Sequence, residues 1–223
     1  MTTAPAIGII HTSLATVDLF GRLLRARIPG ARIVNLLDDS ILPELAANSS
    51  DLAAVLPRWR GYARVMSERG VDLILNACSS IGELGQEVQP EIPQPIVRVD
   101  AAMARQAVGQ GARIGVVATL ETTLRPTCEL LASTAAEAGR VTAIDRVLVT
   151  GAYAALLAGD QVKHDDLVAT AIATATDGYD VVVLAQASMA RVLPRLSEAQ
   201  QSKVLTSPPF ATEEVAHRLS AIA

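Results

Sequence analysis

The chain has 223 residues, of which 50% are apolar and 19% are charged, and its formal net charge is -4 at pH 7. The apolar content excludes an intrinsically disordered chain, and the acidic balance without a basic stripe argues against a nucleic-acid-binding protein. Aromatic residues make up only 3% of the chain, which argues against platforms that stack bases or sugars.

Short apolar runs rich in β-branched residues recur along the chain, at 7–10, 33–37, 71–75, 96–99, 114–117, within 141–149, at 181–184 and at 204–205. Continuous runs of this length are typical of strands that are buried on both faces of a parallel sheet. Stretches rich in Ala and Leu with helical spacing separate the runs, so strand and helix alternate. The sequence therefore predicts an α/β protein with parallel sheets and right-handed crossovers.

The two halves of the chain repeat each other at an offset of about 108 residues. Residues 70–80 match residues 178–188, which places Gln186 where the first half has Cys78. The first strands match at an offset of 107, so Thr12 corresponds to Thr119. A repeat of this length duplicates a domain, since solenoid units are far shorter. We expect two pseudo-symmetric lobes, each with a roughly four-stranded parallel sheet flanked by helices, formed by residues 1–97 with 204–223 and by residues 98–203.

Small or polar residues follow the predicted strands at their carboxyl ends, where open α/β sheets bind ligands. We expect these residues to line one active-site cleft between the lobes and to bind a carboxylate or an oxyanion through hydroxyl, amide and backbone N–H groups. For each Ser or Thr, capping of a helix is the alternative role. The candidates for substrate binding are Thr12, Asn76, Ser79, Ser80, Thr119, Thr122, Thr123, Ala187 and Ser188.

Cys78 is the one reactive residue that stands out, because it follows a buried strand at the predicted start of a helix. The N–H groups and the dipole of a helix N-terminus stabilise a thiolate, so we expect a pKa lowered toward neutrality. A buried core cysteine is the alternative, but the polar neighbours Asn76, Ser79 and Ser80 argue against it. His11 ends the first strand and is a second candidate, which could orient a substrate or transfer a proton.

The remaining titratable residues do not form a cofactor site. Cys128 lies among leucines and is predicted to be a core residue, while His164 and His217 are expected at the surface. The spacing of Cys and His fits no metal motif. Lysines do not follow buried strands, and glycine-rich nucleotide motifs are absent, so we expect no Schiff-base, nucleotide or metal cofactor. Two cysteines without an export signal indicate a cytoplasmic protein, and no apolar run reaches the length of a membrane span.

Three segments resemble the aspartate/glutamate/hydantoin racemase superfamily: residues 76–80 (NACSS), 115–123 (GVVATLETT) and 184–190 (LAQASMA). The resemblance covers essentially the whole chain. It implies two pseudo-symmetric α/β lobes, cofactor-independent chemistry and a cysteine from each lobe acting as opposed acid and base. Cys78 matches the first-lobe cysteine, and Thr119, Thr122 and Thr123 match the carboxylate-binding loop. Gln186 departs from the pattern, because an amide does not transfer protons near neutral pH.

The leading hypothesis is therefore an isomerase or racemase that acts next to a carboxylate or carbonyl group of a small substrate such as an amino acid, a hydantoin or a dicarboxylate. Cys78 would be the base or nucleophile, Gln186 would hydrogen-bond the substrate, and His11 or water would serve the other face. The alternatives are a single-cysteine decarboxylase of a malonate-type acid and a binding protein without turnover. The resemblance also implies a homo-oligomer, and neither nucleic acid nor membrane is an expected partner.

Overall fold

The computed structural model describes residues 4–222, which form two compact units. The first unit ends at Asp100 and resumes at Pro208, and the second spans Ala101–Ser207. The first unit contains β1 (Ala6–His11), α1 (Leu14–Arg27), β2 (Arg32–Leu37), α2 (Ile41–Ala47), α3 (Leu52–Glu68), β3 (Leu73–Asn76), α4 (Gly82–Val88) and β4 (Ile96–Arg98), with short 3-10 turns at Ser79–Ile81 and Gln89–Glu91.

The second unit repeats this order of elements. It contains α5 (Ala101–Gln110), β5 (Arg113–Ala118), α6 (Glu121–Glu137), β6 (Ala143–Leu148), α7 (Ala152–Leu157), α8 (Gln161–Gly178), β7 (Val181–Leu184), α9 (Glu198–Gln201) and β8 (Val204–Thr206), with a 3-10 segment at Ala187–Arg195. The last helix, α10 (Ser207–Ile222), packs Ala211, Val215 and Leu219 into the core of the first unit.

Each unit is built on one four-stranded parallel sheet. The strand order is β2-β1-β3-β4 in the first unit and β6-β5-β7-β8 in the second, which is the same order at equivalent positions of the repeat. The predicted α/β class with two four-stranded parallel sheets is therefore confirmed. Because all strands of a sheet are parallel, their carboxyl ends meet at one edge, where ligands bind in folds of this kind.

The apolar pattern explains why these segments fold as they do. The central strands β1, β3 and β7 are buried along their whole length, as their continuous apolar runs predict. In α3 the buried residues Val55, Trp59, Ala63 and Met66 recur at helical spacing and cover one face of the first sheet. The carboxylate of Asp51 accepts a hydrogen bond from the backbone N–H of Ala53 and caps the start of that helix.

One predicted boundary is wrong. The segment from Val204 was assigned to the first lobe, but β8 pairs with β7 and completes the second sheet. The internal repeat explains this result, because Val204 lies 108 residues after Ile96, the first residue of β4. The chain returns to the first unit only at α10, and it leaves that unit after Asp100, slightly later than predicted. Within the described residues, no helix combines the length and the apolar character needed to cross a membrane.

Candidate active site

Cys78 and Gln186 occupy the same local backbone position in the two units. Each comes two residues after the end of a buried central strand and directly precedes a 3-10 segment. Both have extended backbones, with φ/ψ of -139/119 degrees for Cys78 and -127/126 degrees for Gln186. The correspondence predicted from the repeat is therefore visible in the local geometry, and each residue lies at the carboxyl edge of its own sheet.

The Cys78 thiol lies in a polar cradle within the first unit. It is 9% exposed, and its sulfur is hydrogen-bonded by the hydroxyl groups of Thr12 and Ser80 and by the backbone N–H groups of Ser80 and Ile81. These donors stabilise a negative charge on sulfur. The turn that carries Cys78 thus provides the hydrogen-bond donors that a reacting thiolate needs.

The predicted direction of the Cys78 pKa is wrong. Burial raises the pKa of the thiol, and the hydrogen bonds from Thr12, Ser80 and Ile81 lower it by less than burial raises it. The helix start that was expected to favour the thiolate is a short 3-10 turn in a buried environment, where the loss of hydration of the charged form dominates. At neutral pH Cys78 is therefore a protonated thiol with donors already in place around it.

Thr119 fixes the side chain of Gln186. The Oε1 atom of Gln186 accepts hydrogen bonds from the backbone N–H of Thr119, at 2.7 Å, and from its hydroxyl group, at 2.9 Å. A backbone N–H can only donate, so the oxygen of the amide must face Thr119 and the Nε2 amino group must point away from it. No hydrogen-bond partner of Nε2 is found within residues 4–222.

The repeat preserves this pairing between a threonine and the residue after the central strand. Thr12 follows β1 and hydrogen-bonds Cys78, and Thr119 follows β5 and hydrogen-bonds Gln186. Sequence reasoning placed all four residues at strand ends but did not predict that each threonine contacts the residue that differs between the halves. The signal in the sequence that could have indicated these contacts is that Thr12 and Thr119 occupy equivalent positions of the repeat.

His11 is enclosed at the end of β1. Its ring is fully buried, with Nδ1 2.8 Å from the Thr16 hydroxyl oxygen and Nε2 3.0 Å from Oδ1 of Asn35. Burial lowers the pKa of the imidazole, against a smaller raising effect of the hydrogen bond to Asn35. The ring is therefore neutral and holds the ends of β1 and β2 together. Its predicted role in proton transfer stays a prediction.

Asn76 stabilises the 3-10 turn that follows Cys78. It is fully buried, and its Nδ2 donates a hydrogen bond of 2.8 Å to the carbonyl oxygen of Ile81. This bond closes the turn whose N–H groups face the Cys78 sulfur. Ser79 is also buried, at 8% exposure. The predicted contacts of Asn76, Ser79 and Ser80 with a substrate stay predictions, and the contacts found for Asn76 and Ser80 shape the thiol environment.

The remaining candidates lie at the strand ends of the second unit. Thr122 and Thr123 are in the first turn of α6, where the backbone N–H of Thr123 donates a hydrogen bond of 3.2 Å to the carbonyl oxygen of Leu120. Thr123 is buried and Thr122 is half-buried, while Ala187 is half-buried and Ser188 is exposed in the segment after Gln186. Their contacts with a substrate stay predictions, as does the cleft in which all these groups were expected to meet.

Two predictions for residues outside the strand ends need correction. His164 is buried at 2% exposure, because its Nδ1 lies 2.8 Å from Asp165 and the guanidinium group of Arg191 also contacts that carboxylate. It was expected at the surface. Cys128 is half-buried beside Arg146, since it lies on the edge of the buried face of α6 and outside the core. His217 is exposed, as predicted.

Arg191 and Arg195, in the 3-10 segment after Gln186, form ion pairs with Asp165 and Asp166. Both pairs tie the 3-10 segment after Gln186 to α8, so their charge is already balanced. No group of three or more His, Cys, Asp or Glu residues able to hold a metal ion exists in the described part of the chain.

A family model described as Asp/Glu/Hydantoin racemase matches residues 7–215. The chain belongs to this family. A glutamate racemase of Picosynechococcus sp. is 29% identical over 117 residues, which are 52% of this chain and 40% of the length of that relative. The chain thus aligns with less than half of the curated relative. The predicted superfamily is therefore confirmed.

Solved structures show the same fold at low sequence identity. A glutamate racemase of Bacillus anthracis superposes with a TM-score of 0.76 at 14% identity, over 100% of this chain and 84% of the other. A mutant of arylmalonate decarboxylase superposes with a TM-score of 0.61 at 20% identity, over 98% of this chain and 95% of the other. At these identities the likeness concerns the fold alone.

Proposed function

We propose that this chain is a cofactor-independent enzyme that moves a proton at the carbon next to a carboxylate or carbonyl group of a small substrate, with Cys78 as the reacting group. The observation that carries the proposal is the buried thiol at the carboxyl end of β3 with the Thr12 and Ser80 hydroxyl groups and two backbone N–H groups around its sulfur. Such a cradle stabilises the thiolate that forms when the cysteine takes part in proton transfer.

The substrate class is proposed from the donors at the strand ends and from the family. Glutamate is the substrate named for a curated relative, and it carries carboxylates. In this chain the half-buried Thr122 offers its hydroxyl group in the first turn of α6, and Gln186 offers its amino group. These are neutral donors of the kind that hold a carboxylate or an enolate oxygen. An amino acid, a hydantoin or a dicarboxylate would satisfy them.

Isomerisation or racemisation requires Cys78 to act first as a base or a nucleophile. Because burial raises the pKa of the thiol, only a small fraction is thiolate at neutral pH. The rate limited by that fraction should increase about tenfold per pH unit until the pH reaches the pKa, which lies above the ordinary thiol value of about 8.5.

Decarboxylation of a malonate-type acid is a second candidate, which the protonated state of Cys78 favours. In that reaction the bond between the α-carbon and the carboxylate breaks, carbon dioxide leaves, and the electron pair stays on the α-carbon. The thiol then gives its proton to that carbon, and water returns a proton to the thiolate. The raised pKa keeps the thiol ready as an acid, so this rate should be constant at neutral pH and decrease only above the pKa.

The test is proton NMR in deuterated water with aspartate, glutamate, 5-methylhydantoin, maleate and a substituted malonate as substrates. Cys78→Ala and Cys78→Ser remove the reacting thiol, and Cys128→Ala is the matched control at the other cysteine. Loss of a Cα–H signal indicates carbanion formation, conversion of maleate to fumarate indicates isomerisation, and loss of carbon dioxide from the malonate indicates decarboxylation. Whichever of these reactions the wild-type chain catalyses should persist in Cys128→Ala and be lost in both Cys78 variants.

Turnover that persists in Cys78→Ala would remove Cys78 from the mechanism. The absence of any Cys78-dependent change across the five substrates would contradict the proposed substrate class. Circular dichroism of each variant separates loss of activity from loss of fold. The cytoplasmic location and the homo-oligomer stay predictions.

A further inference from the structure

The two strand-end positions that the repeat makes equivalent differ in what they can do with a proton. Cys78 carries a thiol, which can hold or release a proton, whereas the amide of Gln186 does neither near neutral pH. Inversion at a carbon requires one group to remove a proton from one face and a second group to deliver a proton to the other. In a duplicated chain, the residue equivalent to Cys78 would be expected to supply that second group. Here that residue is Gln186, which carries an amide.

The structure also fixes what the amide offers instead. Thr119 occupies the oxygen of Gln186 with two hydrogen bonds, of 2.7 and 2.9 Å. Only the Nε2 amino group remains for a substrate, and an amino group of an amide donates hydrogen bonds and does not accept them. Gln186 therefore presents a fixed hydrogen-bond donor, and Thr119 sets its orientation.

Other acidic or basic side chains at the strand ends of the second unit are engaged elsewhere. Glu121 begins α6, but its carboxylate points into solvent with 62% side-chain exposure and lies 3.7 Å from the guanidinium group of Arg146. His164 is buried against Asp165. No residue in this unit repeats the cradled thiol of the first unit.

We propose that the enzyme transfers protons on one face of its substrate only, so that it exchanges the α-proton of one enantiomer with solvent and retains the configuration. The inference rests on the proposed function of Cys78. The thiolate of Cys78 takes the α-proton, and the C–H electron pair moves onto the substrate as an enolate whose oxygen is held by the donors. The thiol exchanges its proton with solvent and returns a solvent proton to the same face, which restores the starting configuration.

The experiment follows each enantiomer of aspartate, glutamate and 5-methylhydantoin separately in deuterated water, with a blank that contains no enzyme. Proton NMR measures deuterium at the α-carbon, and chiral chromatography measures configuration. We expect one enantiomer to gain deuterium while its configuration is retained, with inversion slower than exchange by more than about tenfold. The mirror image should keep its α-proton over the same interval.

Gln186→Cys supplies the missing thiol, and Gln186→Ser is the matched control, which removes the amide without adding a comparable acid or base. We expect Gln186→Cys to gain inversion and exchange of the second enantiomer, and Gln186→Ser to gain neither. Inversion by the wild-type chain at the rate of exchange would overturn this inference and leave the proposed function intact. Absence of Cys78-dependent exchange in both enantiomers of all three substrates would overturn this inference, and the proposed function would fall with it only if maleate and the malonate were also unchanged.

Thr119→Val tests the positioning role, because it removes the hydroxyl bond to Gln186 and keeps the backbone bond. We expect a higher KM, since the amino group of the amide is held less firmly, and an unchanged pH profile, since Cys78 is untouched. Thr119→Ser restores the hydroxyl group and should restore KM. In the Gln186→Ser background, Thr119→Val should no longer change KM, because the amide that Thr119 positions is absent. If the role of Thr119 were purely structural, Thr119→Val would raise KM in that background as well.

Discussion

The hydroxyl group of Thr12 should control the reactivity of Cys78. It hydrogen-bonds the sulfur from the end of β1 and lowers the pKa of the thiol against the larger effect of burial. Thr12→Val keeps the shape of the side chain and removes this donor. A hydrogen bond to a charged acceptor contributes about 1.5–3 kcal/mol, and sulfur is a weak acceptor, so we take about 1.5 kcal/mol. Its loss should raise the pKa of Cys78 further, because the thiolate then lacks one of its donors.

The assay is the rate of alkylation by iodoacetamide as a function of pH. The background is Cys128→Ala, which leaves Cys78 as the single cysteine. Since the thiolate is the reactive form, the loss of about 1.5 kcal/mol of thiolate stabilisation should reduce the rate at a fixed pH below the pKa by about tenfold. Thr12→Ser retains the donor and should react like the parent.

An identical pH profile for Thr12→Val and the parent would refute the reasoning, because it would mean that the Thr12 hydroxyl group does not stabilise the thiolate. A lower rate at every pH without a shift of the profile would indicate changed access to the buried sulfur and would refute it equally. The thermal unfolding of each variant, measured alongside, shows whether the folded state is retained.

Two further predictions concern stability, measured by urea unfolding. Burial lowers the pKa of His11. As the pH decreases below about 6.5, the unfolded chain therefore gains a proton at His11 that the folded chain does not gain. The free energy of unfolding should then decrease by up to about 1.4 kcal/mol per pH unit. His11→Gln should remove this dependence, and His217→Gln should not. A Cβ on Gly115 would lie 2.4 Å from Cδ2 of Tyr179, so Gly115→Ala should cost about 1–3 kcal/mol. Gly61→Ala in α3, where a Cβ has no neighbour within 4 Å, should stabilise by up to about 1 kcal/mol; equal effects of the two alanines would contradict the packing argument.

The internal repeat was the most reliable signal in the chain. It predicted two four-stranded sheets, because apolar strand runs recur in the same order in both halves, and the sheets have the same strand order. The error at Val204 arose because the last short strand was assigned by its position in the chain. In the repeat, Val204 is equivalent to Ile96 of β4, which belongs to the corresponding place in the first sheet. A three-residue strand carries little apolar signal of its own, and its sheet is decided by the partner strand.

Local chemistry along the chain determined which residues stand at the strand ends. Cys78, Gln186, Thr12 and Thr119 could all be placed there because strand length and apolar runs are local properties. The same reasoning missed the burial of His164, because the helix start that carries it is polar in sequence and is covered in space by the segment that bears Arg191.

The sequence by itself determined the α/β class, the duplication, the family and the replacement of a thiol by an amide at the second strand end. Only the tertiary structure decided that the Gln186 amino group points away from Thr119, that Thr12 hydrogen-bonds Cys78, and that the pKa of Cys78 is raised. The physical reason is that hydrogen bonds between neighbouring strands join residues far apart in the chain, 67 positions for Thr119 and Gln186. The balance between burial and donors at a sulfur atom depends on all the groups that surround it in space.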